Sequence, residues 1–257
     1  MSTTTKTVLF LGATGGCGLS ALRRSLAAGH TCIALCRTPS KLTDKLASST
    51  PPTGATTNLV LEQGNAHDVD ALARCLVQPR ASSPHALVDT IVFSIGGAFD
   101  MSSFSLDDPA VCEKGITALL AALQRCRDAQ SATGRPRLVV ISSTGISDAG
   151  RDIPLLMVPL YHVMLKTPHK DKKALEKAVM GSAEEWTIVR PSFFTDGPES
   201  PKGVRVGVED PVAGTVESKA VGYTISREDV GKWIFENVVE ERPGDARWVK
   251  RAVSITS

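Results

Sequence analysis

The stretch Thr7–Gly18, TVLFLGATGGCG, sets a short apolar run ahead of three glycines spaced three apart, Gly12, Gly15 and Gly18. A helical pattern follows over Gly18–Ala28, so the order is strand, glycine turn, helix. That order specifies what the glycines are for. Gly12 permits a tight turn, Gly15 lets the main chain approach a diphosphate, and Gly18 lets the helix pack close to the strand. The helix start then offers unpaired amides and the positive end of its dipole to the phosphates. Gly12, Thr14, Gly15, Gly16, Cys17 and Gly18 are therefore expected to hold a dinucleotide coenzyme.

The next decision falls at the end of the second strand. Sites that prefer the unphosphorylated coenzyme place a carboxylate there, about twenty residues on, to bind the ribose 2′-hydroxyl. This chain has ALCRTPSKL, which puts Arg37 at that place with Ser40 and Lys41 nearby. A guanidinium grips a 2′-phosphate with paired, charge-assisted hydrogen bonds, where a carboxylate would repel it. NADP(H) is expected over NAD(H), bound by Arg37 and Lys41. Later loops at strand ends extend the groove: Asn65 and Ala66 in QGNAHD beside the adenine, and Ser94, Ile95 and Gly96 in FSIGG under the coenzyme's middle.

Outward from this motif, short apolar runs alternate with helical patterns. Strands are expected at Thr7–Leu11, Thr31–Leu35, Asn58–Leu61, Thr90–Ser94, Arg137–Ser142 and Trp186–Arg190; helices at Asp68–Leu76, Pro109–Arg127 and His169–Met180. Unbroken apolar strands alternating with helices imply a parallel sheet covered on both faces. The expected class is α/β: a Rossmann-type doubly wound parallel sheet with a small C-terminal substrate lobe. The 257 residues suit one NAD(P)-binding domain, with 1–190 as its core and 191–257 as the substrate-side lobe and terminal helix and strand. That helix is expected to start at Ser226 as N-cap, with Asp229 in its first turn.

The formal charge of +2 gives no electrostatic hold on nucleic acid or an acidic membrane, so neither is an expected partner. The six cysteines form no Cys-x-x-Cys pair, and MSTTTK runs straight into the first strand, which points to a reduced, cytoplasmic setting. The expected partner is a small-molecule substrate, with the chain a monomer or homodimer. Histidines and carboxylates show no metal-ligand spacing, so no metal is expected. IPLLMVPLYHVML, from Ile153, is too short to span a bilayer and carries two prolines; a hydrophobic wall for a greasy substrate, a homodimer surface and core packing all remain open for it.

GATGGCG, GNAHDVDAL, HKDKKALEKAV, WTIVRPSFFTDGP and ISREDVGKWIF together resemble the atypical short-chain dehydrogenase/reductases. The nearest branch is the NmrA-like, NAD(P)-binding group that includes flavin and biliverdin reductases and is similar to oxidoreductases of fungal secondary metabolism. The resemblance spans nearly the whole chain and implies NADP-linked chemistry on aromatic or conjugated small molecules. Many members use a Tyr-x-x-x-Lys pair, with a serine after the fifth strand and, in extended members, a glutamate four residues beyond the lysine. Lys172 and Glu176 match the second half of this pattern, but the tyrosine position is Pro168. The resemblance thus leaves Lys172 to hold the nicotinamide ribose and place charge near the reaction.

His169, Ser143 and Tyr161 are candidates to move or hold the proton. Ser142, His162, Phe193 and Phe194 are candidates for substrate contact, the phenylalanines by stacking on a ring. The leading expectation is an NADPH-dependent reductase of a small, largely apolar carbonyl or conjugated compound. A non-redox cyclase, isomerase or dehydratase on the same fold, and a non-catalytic NADP(H)-sensing regulator, are the alternatives.

Overall fold

In the computed structural model, residues 5–48, 56–77, 85–97, 99–100, 105–130, 132–159, 165–241 and 244–257 are described. The first strand, β1 (Thr7–Leu11), is buried at all five positions, and its neighbours in the sheet are equally apolar. After it come α1 (Gly16–Ala27), β2 (Thr31–Cys36), α2 (Pro39–Ala47), β3 (Leu59–Gln63), α3 (Val69–Leu76) and β4 (Thr90–Phe93). The two-residue strands β5 (Phe99–Asp100) and β6 (Ser105–Leu106) pair with each other, followed by α4 (Val111–Gln130) and β7 (Arg137–Ile141). The remainder is α5 (Lys166–Met180), β8 (Glu185–Pro191), β9 (Phe193–Thr195), β10 (Arg205–Asp210), β11 (Thr215–Ser218), β12 (Thr224–Ser226), α6 (Arg227–Ile234) and β13 (Arg251–Thr256).

Nine of these strands form one sheet in the order β3, β2, β1, β4, β7, β8, β13, β10, β11. All neighbours from β3 to β13 run parallel, and only β10 and β11 join antiparallel. The chain reverses its winding direction between β1 and β4, and that switch point opens a crevice beyond the carboxyl ends of the strands. This is the Rossmann-like, doubly wound arrangement. Alternation along each strand divides the core: Leu9 and Leu11 face α3, α4 and α5, while Val8 and Phe10 face α1 and α6.

After β8 the chain takes two courses. β13 lies between β8 and β10 within the central sheet, whereas β9 and β12 make a separate parallel pair just beyond the end of β8. Several boundaries differ from the expected ones. α1 begins at Gly16 rather than Gly18, β3 lies one to two residues later than Asn58–Leu61, α4 is shifted by two to three residues, and α5 starts at Lys166 rather than His169. α2 was not expected at all. Pro39, whose ring pre-sets helical φ at the first turn, begins it immediately after Arg37 and Thr38.

Candidate active site

The carboxyl ends of β1, β2, β3, β4 and β7 border a cleft of about 730 Å³, well within the range of small-molecule sites. Its middle is the glycine turn. Gly12 has φ 94°, and a Cβ there would stand 2.8 Å from the Ser94 backbone and hydroxyl. A Cβ on Gly18 would overlap the Ser94 hydroxyl and lie 2.7 Å from the Gly12 carbonyl oxygen. Ser94 locks this contact with its single hydroxyl hydrogen, which lies between the carbonyls of Leu11 (3.0 Å) and Gly12 (3.1 Å). Gly15 is different: nothing lies within 4 Å of where its Cβ would be. It is the N-cap of α1, has no side-chain cap, and is followed by a first turn without an acidic residue. Unfilled space above uncapped amides fits a diphosphate.

Of the residues expected to hold the coenzyme, Gly12, Thr14, Gly15, Gly16, Cys17, Arg37, Asn65, Ala66, Ser94, Ile95, Gly96 and Lys172 all line this cleft. Gly18 does not; it is consumed by helix–strand packing beneath the turn. Lys41 does not either, because α2 carries it onto an exposed side away from the cleft. Arg37 stands exposed at the end of β2 and makes no ion pair among the described residues.

The opposite end of the cleft is bounded by Ile141, Ser142, Leu165, Pro168, Asp171, Lys172 and Phe194. The Lys172 ammonium donates to the Ile141 carbonyl (2.7 Å) and the Ile95 carbonyl (3.0 Å), tying together the ends of β7 and β4. An ammonium has three hydrogens; two go to these carbonyls, and the third lies within reach of the Cys112 thiol and the cleft. Ser142 is 2 % exposed, and its hydroxyl has no hydrogen-bond partner among the described residues although it borders the cleft. A buried hydroxyl without a partner costs of order 1–3 kcal/mol, which a ligand oxygen would recover.

Ser143, grouped with Ser142 in the sequence, points elsewhere: its hydroxyl donates to the Thr144 carbonyl and meets His169 Nε2 at 3.5 Å. Neither Ser143 nor His169 lines the cleft. Successive residues at a strand end face opposite ways, so only one serine of the pair can look in. The same alternation separates Phe194, which lines the cleft, from Phe193, which is 45 % exposed. Tyr161 and His162 lie outside the described residues. Of the apolar stretch before α5, Leu165 reaches the cleft, Ile153 is buried, and Leu155 and Leu156 face solvent.

Glu176, the family-pattern glutamate, is a structural group here. It makes a two-point pair with Arg190 (3.0 and 2.8 Å), both residues being buried, and Arg190 also faces Glu209 at 3.0 Å. Two cleft residues that the sequence did not single out owe their places to distant partners. Asp171 accepts from the backbone amides of Cys112 and Glu113, each at 2.9 Å, and so caps α4. Arg227, the first residue of α6, reaches back to the glycine turn. Burial pushes the thiols of Cys17 up to about 12 and Cys112 to about 11, and raises Cys36 as well, which favours the protonated form of each.

Among the described residues no helix is long and apolar enough to cross a membrane, and no group of three or more His, Cys, Asp or Glu is placed to hold a metal ion. The family described as NAD(P)H-binding matches residues 12–241. The reductase pytE of Aspergillus terreus is 41% identical over 273 aligned residues, covering 100% of both chains. The oxidase pynE of Aspergillus niger is 35% identical, covering 97% of this chain and 98% of the other. Among solved structures, a short-chain dehydrogenase/reductase from Veillonella parvula in complex with NADP superposes with a TM-score of 0.70 at 12% identity, covering 99% and 95% of the two chains. An anaerobillin reductase from Escherichia coli gives 0.60 at 17% identity, covering 97% and 96%. At these identities the structural likeness speaks for the fold.

Proposed function

This chain belongs to the NAD(P)H-binding family, and on that premise we propose that it is an NADPH-dependent reductase of the atypical, NmrA-like short-chain dehydrogenase/reductase type, acting on a small, largely apolar compound whose reducible group is conjugated. The observation that carries this reading is the pairing, at one end of the cleft, of the orphaned Ser142 hydroxyl with the Lys172 ammonium. Both are donors, and both flank the carboxyl end of β7. Donors fixed in advance around one point stabilise negative charge as it develops there.

When bound, the nicotinamide coenzyme supplies the hydride. Arg37 holds the 2′-phosphate end, the amides of Gly15–Cys17 meet the diphosphate, and the last N–H of Lys172 fixes the nicotinamide ribose. Ser142 donates to the substrate oxygen that gains charge. Phe194, Leu165 and Pro168 supply an apolar wall for a flat substrate and keep water from it. The family's tyrosine position is Pro168, and at this end of the cleft the described residues offer no histidine or tyrosine to hand over a proton. This favours substrates that spread the incoming charge over a conjugated system, such as quinones, enones, flavins or linear tetrapyrroles, with the proton taken from solvent afterwards. In this reading 1–190 forms most of the coenzyme core, and 191–257 adds Phe194 to the substrate side and Arg227 beside the glycine turn of the same domain.

The related chains are named for reduction in one case and oxidation in the other, so direction is part of the test. Purified protein is mixed with NADPH and a panel of quinones, enones, flavins and simple ketones, and absorbance loss is followed. The expected result is turnover with conjugated acceptors and little with simple ketones. Tight NADPH binding with no oxidation by any acceptor, and no reduction of NADP+ by the corresponding alcohols or hydroquinones, would overturn the redox assignment.

A further inference from the structure

Arg227 lies 211 positions from Gly16 in the sequence, yet its side chain covers that glycine: a Cβ on Gly16 would overlap Arg227 Cδ and stand 3.0 Å from Nε and 3.2 Å from Cγ. The placement is rigid. Gly231 of α6 sits so close to α1 that a Cβ there would overlap the Ser20 side chain and lie 2.8 Å from the Ala21 amide. The Ser20 hydroxyl donates to Glu228 at 2.8 Å, and Glu228 pairs with Arg23. Ser226 caps α6 by accepting from the Asp229 amide at 2.9 Å, while the Asp229 carboxylate accepts from the Ser200 amide at 3.0 Å. The N-terminal half of α6 is thereby pinned across the N-terminal half of α1, and its first side chain lies on the glycine turn.

The guanidinium itself is lightly engaged. It donates to Asp196 at 2.7 Å and lies 5.0 Å from the centre of the Phe194 ring. Asp196 is 90 % exposed, so this ion pair is solvated and weak. A guanidinium carries five donors in a flat fork suited to phosphate oxygens, and most of these stay available. It borders the same cleft as Gly12–Cys17 and shares that border with Phe194.

We propose that Arg227 is a diphosphate-binding arm: it releases Asp196 to grip the coenzyme's diphosphate from the side opposite the α1 amides, while its plane keeps the Phe194 wall in place. This rests on the dinucleotide reading of the cleft given above. It also gives Asp196 a role as a built-in competitor, a carboxylate that occupies the arm when no coenzyme is present.

The test is titration calorimetry with NADP+ and with adenosine 2′-monophosphate, which carries the 2′-phosphate but no diphosphate, on wild type, Arg227→Ala and Asp196→Asn. Thermal melts check that each variant is folded. Arg227→Ala should weaken NADP+ by about 10- to 100-fold, the scale of charge-assisted hydrogen bonds, and leave adenosine 2′-monophosphate within about twofold. Asp196→Asn should tighten NADP+ by about threefold, because the competitor is gone. If both variants weaken NADP+ equally, the pair is a structural tie and the proposal fails. It also fails if Arg227→Ala weakens both ligands alike, or neither. Wild type that binds neither ligand would instead sink the dinucleotide reading itself, a result separable from failure of the arm alone.

Discussion

Replacing Arg37 with alanine should remove the discrimination between the two nicotinamide coenzymes without touching the fold. Arg37 is exposed at the end of β2 and makes no ion pair among the described residues, so its loss breaks no internal bond. Surface substitutions of this kind change stability by roughly 0.5 kcal/mol or less. Its effect is confined to a ligand charge. Hydrogen bonds to charged partners contribute about 1.5–3 kcal/mol. The exposed position and salt screening favour the lower half of that range, about 1.5–2 kcal/mol, or roughly a 10- to 30-fold weaker NADPH complex. NADH lacks the 2′-phosphate and should bind wild type and variant within about twofold of each other. The assay is fluorescence or calorimetric titration of nucleotide-free protein with both coenzymes at two ionic strengths. Wild type should lose NADPH affinity with added salt more steeply than Arg37→Ala. An unchanged NADPH-to-NADH ratio in the variant, or an equal loss for both coenzymes, would refute the assignment of Arg37 to the 2′-phosphate.

The glycines of the turn should separate by role. Gly18→Ala forces a Cβ onto the Gly12 carbonyl oxygen, which cannot move without opening the turn; overpacking of this kind costs about 1–3 kcal/mol, more than the roughly 1 kcal/mol of helix propensity regained, so calorimetry should show Tm falling by several degrees. Gly15→Ala meets no atom within 4 Å and has extended φ and ψ, so Tm should stay within about a degree while coenzyme affinity drops at least about tenfold. A third outcome concerns Asp152, whose carboxyl burial pushes up; one oxygen accepts from the Gly145 amide at 2.9 Å and the other has no partner among the described residues. A carboxyl with a raised folded pKa binds its proton more tightly folded than unfolded, so stability is lost as pH rises above the unfolded value near 3.9. Asp152→Asn keeps the amide contact and should raise Tm at pH 7, with the gain fading as pH falls below about 4; a destabilised variant at pH 7 would show that the ionised form is the one held.

Some features were legible from local sequence because their causes are local. Gly12 and Gly18 follow from the clearance a turn and a helix–strand contact need, Gly15 from the strand–glycine-turn–helix order, the buried strands from unbroken apolar runs, and the Ser226 cap from one side chain reaching its own helix amide. Arg37 was readable because it lies one residue past a strand whose end is easily placed. α2 escaped notice because a strand-end loop and a proline-started helix share the same polar residues.

The remaining features were decided only by how helices and strands meet. Ser142 and Ser143 are identical neighbours in the sequence, and strand-end geometry alone turns the first into the cleft and the second toward His169. Glu176 matched a family spacing, yet Arg190 and Glu209 make it part of a buried charge cluster. Lys172 kept its place, but the two carbonyls it ties come from strand ends 77 and 31 residues away. Arg227 reached the glycine turn because Gly231 lets α6 pack tightly on α1. Periodicity and turn chemistry act over a few residues, so one sequence states them directly; the direction of a side chain across a cleft depends on packing between segments far apart in the chain, and only the assembled core sets it.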